Sequence, residues 1–129
     1  MTWKLYDYVN NRGDNEIKAW MESLQKPQRA KLNQKLVMLV QVGSELPPKL
    51  LSKARLGYIY RLKIKGNVEL RLMLCEGPID NDNEFTLLFG AEKRGEKLIP
   101  EDAEQRAKER RQEIIADPNS RRCLHEWIA

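Results

Sequence analysis

Apolar positions along this chain first repeat at helical spacing, then at strand spacing, then at helical spacing again. Trp3 to Val9 alternates weakly and reads as a first strand or extended arm. Asn11-Arg12-Gly13-Asp14 is a turn cluster, with Asp14 placed to cap a helix. Ile17, Trp20, Met21 and Leu24 then follow at i, i+3, i+4 and i+7, one apolar helix face. Pro27 suits the first turn of a second helix, whose buried face is Leu32, Leu36, Leu39 and Val40 and whose stop is Gly43. The short joint between the two favours an antiparallel helical pair.

From Tyr58 the period is two. Tyr58, Tyr60, Leu62 and Ile64 point one way, toward the core, and Ile59, Arg61, Lys63 and Lys65 the other. After Gly66-Asn67, Val68, Leu70, Leu72 and Leu74 share a face, with Glu69, Arg71, Met73 and Cys75 opposite. These strands form a hairpin. A two-residue loop would set Lys63 and Arg61 beside leucines. A three-residue loop, Lys65-Gly66-Asn67, pairs Ile64 with Val68, Leu62 with Leu70 and Tyr60 with Leu72, and is preferred. It sets Arg61 opposite Arg71 on the polar face.

Gly77 to Asn83 is an acidic, turn-rich connection, and Glu84 to Ala91 is nearly all apolar, a central strand covered on both faces. Lys93 to Lys97 is a polar exit. Pro100 opens a third helix that runs to about Ala116, where Asp117-Pro118 stops it. Its charged run, Arg106 to Glu113, reads as a solvated face. In the tail, 117–129, one further short helix is possible, with Leu124, Trp127 and Ile128 on one side. The order is strand-helix-helix-strand-strand-strand-helix: one α+β domain over 1–129, a small antiparallel-rich twisted sheet with helices packed on one face.

Composition narrows the class. The chain has 129 residues, 41% hydrophobic and 33% charged, enough to bury a core and too apolar for wholesale disorder. Two cysteines, Cys75 and Cys123, with one histidine, His125, suggest neither a disulfide framework nor a zinc site. They read as free thiols in a reducing compartment. No cofactor motif is present. The N-terminus lacks a signal-peptide core, and no apolar run nears the roughly 20 residues that span a bilayer. A cytoplasmic protein is expected.

Charge points to chemistry. The formal net charge is +4, yet Pro47 to Cys75 alone holds seven basic residues (Lys49, Lys53, Arg55, Arg61, Lys63, Lys65 and Arg71) against one acid, Glu69. Like charges across a strand pair destabilise it. Stability does not ask for such a face, whereas a polyanion does, because Arg forks match phosphate and Lys supplies a point charge. Lys53, Arg55 and Lys65 are the flanking candidates for binding RNA.

Tyr60-Arg61, Leu70-Arg71-Leu72, Leu87-Leu88-Phe89-Gly90, Lys93-Arg94 and Ile99-Pro100-Glu101-Asp102-Ala103, in this order, resemble the RelE/ParE toxin superfamily. The closest branch is the HigB-like, phage-derived group, over about Leu5 to Ile115. The resemblance implies the toxin of a type II toxin–antitoxin pair, a ribosome-dependent mRNA endoribonuclease that works without a metal, and a partner antitoxin of helix-turn-helix type. By position it implies a catalytic set of Arg61, Lys63, Arg71, Lys93 and Arg94. Arg71 and Lys93 or Arg94 would face the phosphate and Lys63 would be the base, its pKa lowered by Arg61 and Arg71. The chain departs from many active members in having no Tyr or His close after the last strand. The alternatives are a ParE-like protein-binding inhibitor of DNA gyrase and a non-catalytic nucleic-acid-binding protein of the same fold.

Overall fold

The computed structural model describes residues 2–47, 50–54 and 57–129. Its strands are β1 (Lys4–Tyr8), β2 (Leu51–Lys53), β3 (Tyr60–Ile64), β4 (Glu69–Glu76), β5 (Glu84–Arg94), β6 (Lys97–Ile99) and β7 (Arg122–Leu124). Its α-helices are α1 (Glu16–Ser23), α2 (Lys26–Val42), α3 (Ala103–Ala116) and the single turn α4 (Pro118–Arg121). The strands form one seven-stranded sheet in the order β2-β3-β4-β5-β1-β7, with β6 paired to β5. Among the described residues only β1 and β5 run parallel. The α+β, antiparallel-rich architecture is as the periodicity predicts.

The helices differ from expectation by covering both faces. α1 and α2 bury Ile17, Met21, Leu32, Leu36 and Leu39 against Leu62, Ile64, Leu70, Leu72 and Leu74. Each such leucine, fully withdrawn from water, contributes roughly 1.5–3 kcal/mol. α3 lies on the opposite face, where Ala103, Ala107 and Ile114 meet Met73, Cys75, Phe89 and Ala91. The physical reason lies in β4 and β5. Met73, Cys75, Leu88 and Phe89 alternate away from α1 and α2, so that second face needs its own cover. Two alanines let α3 approach closely.

Asn15, rather than Asp14, caps α1, its side chain accepting from Lys18 N at 2.9 Å. Gly90 leaves room for the Trp20 indole of α1, which a Cβ there would meet at 2.1 Å. The tail forms one helical turn and then a strand. β7 pairs antiparallel with β1 and covers what would be an open sheet edge. Cys123 and His125 thereby turn to the side of Asp7. The buried Asp7 Oδ1 accepts from His125 Nδ1 at 2.8 Å, and Asp7 Oδ2 from Asn15 Nδ2 at 2.9 Å.

The hairpin closes two residues later than expected. Its pairs are Ile64–Leu70, Lys63–Arg71, Leu62–Leu72, Arg61–Met73 and Tyr60–Leu74. A slip of two keeps every side chain on its face, so the alternation alone cannot choose between the two registers. The slip does change partners: Arg71 stands opposite Lys63, and Arg61 opposite Met73.

Candidate nucleic-acid interface

Alternation along β3 and β4 brings Arg61, Lys63 and Arg71 to the α3 side of the sheet, toward its hairpin end. Lys93 joins them from β5. It stands opposite Glu69, and Ala91 stands opposite Arg71. Four of the five expected catalytic residues therefore converge. Arg94 does not. Its Nε and Nη2 donate to Glu92 Oε2 at 3.2 and 3.1 Å, on the side of Trp20, Asn67 and Val68.

The four cations differ in how free they are. Arg71 is 6% exposed, and a guanidinium withdrawn that far needs an anion. Glu69 supplies it: Oε2 accepts from Arg71 Nε at 2.7 Å and lies 2.6 Å from Nη2. Arg71 Nη1 makes no hydrogen bond among the described residues. Arg61 Nη1 sits 3.4 Å from Glu104 Oε1 on α3, and Nη2 donates to the Lys53 carbonyl at 3.2 Å. Lys63 and Lys93 have no ion-pair partner among the described residues. The Lys63 ammonium is held below the usual lysine pKa, first by lost hydration and then by Arg71 and Arg61, with Lys93 adding and Glu69 opposing. Such a lysine both attracts phosphate and gives up its proton more readily than a free one.

Of the flanking residues, Lys53 ends β2, exposed and close to Arg61. Lys65 is exposed just past β3, on a hollow shared with Lys31, Lys35 and Lys63. Arg55 lies outside the described residues, as does Lys49.

The two hairpin tyrosines part company. Tyr60 packs half-buried on the core, as expected, and donates to Glu76 Oε1 at 2.7 Å. Burial and then that carboxylate push its phenol up to about 12. Tyr58, expected in the core, is 75% exposed and carries a φ of 71°. Its ring lies under Arg111, 4.5 Å from the guanidinium carbon. The basic run of α3 is thus not merely a solvated face. Arg110 covers the rings of Phe89 and Tyr8 at 4.7 and 4.5 Å, and donates to the Leu88 carbonyl at 2.8 Å. Periodicity gave no sign of Glu104 and Arg111 as members of the site, because helix and hairpin meet only in three dimensions.

Cys75 is buried and its thiol is pushed up to about 12 by that burial, so it is inert. Among the described residues no cluster of His, Cys, Asp and Glu is arranged to hold a metal ion, and no helix is long and apolar enough to cross a membrane. Comparison of the chain with protein-family models, with curated proteins and with solved structures found no match.

Proposed function

We propose that this chain is a toxin of the RelE/ParE type, closest to the HigB-like branch, that cleaves mRNA on the ribosome and is neutralised by an antitoxin. One observation carries the reading: Arg61, Lys63, Arg71 and Lys93 come from three adjacent strands to one face, with Lys63 depressed in pKa among them. The chemistry such a face serves is transesterification within RNA. A ribose 2′-oxygen attacks the adjacent phosphorus, the bond to the 5′-oxygen breaks, and a cyclic phosphate and a 5′-hydroxyl result. Lys63, once deprotonated, takes the 2′-hydroxyl proton, and the leaving 5′-oxygen takes a proton from solvent water. Arg71 Nη1 and the Lys93 ammonium oppose the charge that grows on the phosphorane oxygens. Arg61 holds the neighbouring phosphate.

A second reading, RNA binding without cleavage, draws on the same geometry. Arg71 is closed on Glu69 and Arg61 on Glu104. Neither Tyr60 nor His125 completes the face. Tyr60, with a pKa of about 12, is a poor acid, and His125 is buried beyond β1 at the far sheet edge.

Expression of the protein alone decides between them. The nuclease reading expects growth arrest with transcripts cut inside translated codons, relieved by Arg71→Ala. Arrest with intact transcripts would overturn it, and an accompanying DNA-damage response would point to gyrase instead.

A further inference from the structure

A hollow of about 560 Å³ opens beside the cationic face, where the turn before β3 meets α3 and the end of β4. Tyr58, Arg111, Lys53, Tyr60, Glu76 and Asn81 line it. Its size suits a small planar ligand with a charged neighbour.

Tyr58 is the anomaly. A bulky side chain at φ 71° is a costly backbone state, and a ring 75% exposed forgoes burial. The fold nonetheless presents that ring at the mouth of the hollow, one face under Arg111 and the other open. Arg111 Nε is buried and has no hydrogen-bond partner among the described residues. Exposed tyrosines backed by arginine are stacking platforms for unpaired bases.

The polar lining specifies more. Glu76 Oε1 is occupied by the Tyr60 hydroxyl, which keeps its proton at neutral pH. Glu76 Oε2 makes no hydrogen bond among the described residues, so an acceptor faces the hollow. Lys53 stands at the rim, its carbonyl bonded to Arg61 Nη2 at 3.2 Å. Arg61 in turn lies two residues from Lys63, about 7 Å along the strand. A single strand of RNA with one phosphate over Lys63 and Arg71 would therefore pass Arg61 and Lys53 and deliver its next base to Tyr58.

We infer that this hollow is a nucleobase subsite, flanking the phosphate held by Arg61, that prefers bases bearing an exocyclic amino group. The base stacks on the open face of Tyr58, and its amino group donates to Glu76 Oε2. Adenine, cytosine and guanine offer such a donor. Uracil's single imide N–H sits between two carbonyl oxygens that repel the carboxylate. The inference rests on the RNA-binding reading of the neighbouring face.

The test uses the full chain and fluorescently labelled five-nucleotide RNAs, oligo-A, oligo-C and oligo-U, 2′-O-methylated to block cleavage and followed by anisotropy. Oligo-A and oligo-C should bind at least about five-fold tighter than oligo-U. Tyr58→Ala should weaken both about ten-fold, the loss of one stacked base, and Tyr58→Trp should restore them. Glu76→Gln should erase the preference, while Tyr60→Phe, which spares the carboxylate, should keep it. If all three RNAs bind equally and Arg71→Ala weakens them while Tyr58→Ala does not, the subsite is refuted and the cationic face stands. If none binds with an affinity that falls with salt, both are refuted.

Discussion

Glu104 offers the sharpest test of whether the cationic face meets phosphate, because its carboxylate competes for one of the four cations. The perturbation is Glu104→Gln. Glu104 Oε1 lies 3.4 Å from Arg61 Nη1, with the two side chains 20% and 29% exposed. At that separation and an effective dielectric near 20, the bare attraction is about 5 kcal/mol. Solvent and the cost of ordering both side chains reduce such partly exposed pairs to a net 0–1 kcal/mol, roughly. A phosphate that takes Arg61 must first displace this contact. Removing the carboxylate's charge should therefore tighten RNA by about two- to five-fold, which is that same net energy expressed as an equilibrium ratio.

The salt dependence separates this from a packing effect. Each phosphate newly neutralised on a single strand steepens log K against log salt by about 0.7. Anisotropy titrations between about 50 and 200 mM salt should show that increment in Glu104→Gln, with a thermal midpoint within a few degrees of the parent. Unchanged affinity and unchanged slope would mean that Arg61 never reaches a phosphate. Weaker binding at unchanged stability would mean that Glu104 orients Arg61 instead of competing for it, and would refute the reasoning outright.

Two further expectations follow from the same structure. Lys63 has a lowered pKa in the folded chain, so between that value and its unfolded value the unfolded chain binds more protons and stability rises with pH; bound phosphate pulls the pKa back up, so RNA affinity should fall as pH climbs through the lowered value, and Lys63→Arg, which stays charged, should flatten that fall, an identical profile in both proteins counting against the assignment. His125→Ala leaves the carboxylate of Asp7, 0% exposed, with Asn15 as its one side-chain partner among the described residues, and should cost about 3 kcal/mol in urea unfolding; Asp7→Leu with His125→Leu should recover most of it, RNA binding should be untouched because β7 lies at the far edge of the sheet, and a loss under about 0.5 kcal/mol would show that the pair is not structural.

Much of this fold is written in its periods. The stripe of Ile17, Met21, Leu32, Leu36 and Leu39 and the alternation of Leu62, Ile64, Leu70 and Leu72 each read directly as elements with one buried side. What periodicity does not carry is the partner of each side. The apolar run of β5 demands cover on two faces, and nothing local says that Ala103 and Ala107 provide the second. β2 and β7 span three residues each, too short for a repeat to register. The pairing that buries His125 joins it to a residue 118 positions away. Tyr58 misleads for a different reason. It extends the alternating set of Tyr60, Leu62 and Ile64, but its positive φ breaks the strand before the alternation can apply.

The cationic face shows the same division, and one irregularity decides its composition. Arg61, Lys63 and Arg71 share a side because strand alternation places them there both in the expected register and in the observed one, two residues apart. Lys93 and Arg94 are adjacent, so only one can join them, and the choice depends on the parity of β5. Pairing with β4 shifts between Met73–Phe89 and Leu74–Leu87, which leaves Leu88 as an extra residue. Phe85 and Leu87 face α1 and α2, and after the bulge Phe89, Ala91 and Lys93 face α3. Within Phe85 to Phe89 nearly every side chain is apolar, so the sequence pattern is silent about that extra residue. Without it, the α3 face would receive Glu92 and Arg94, a carboxylate and a cation that already bond each other. With it, the face receives Ala91 and Lys93, which has no ion-pair partner among the described residues. The bulge thus removes an acid from the place where a phosphate would sit and adds a cation in its stead, which is why a site assembled from three strands depends on a residue that touches none of its charges.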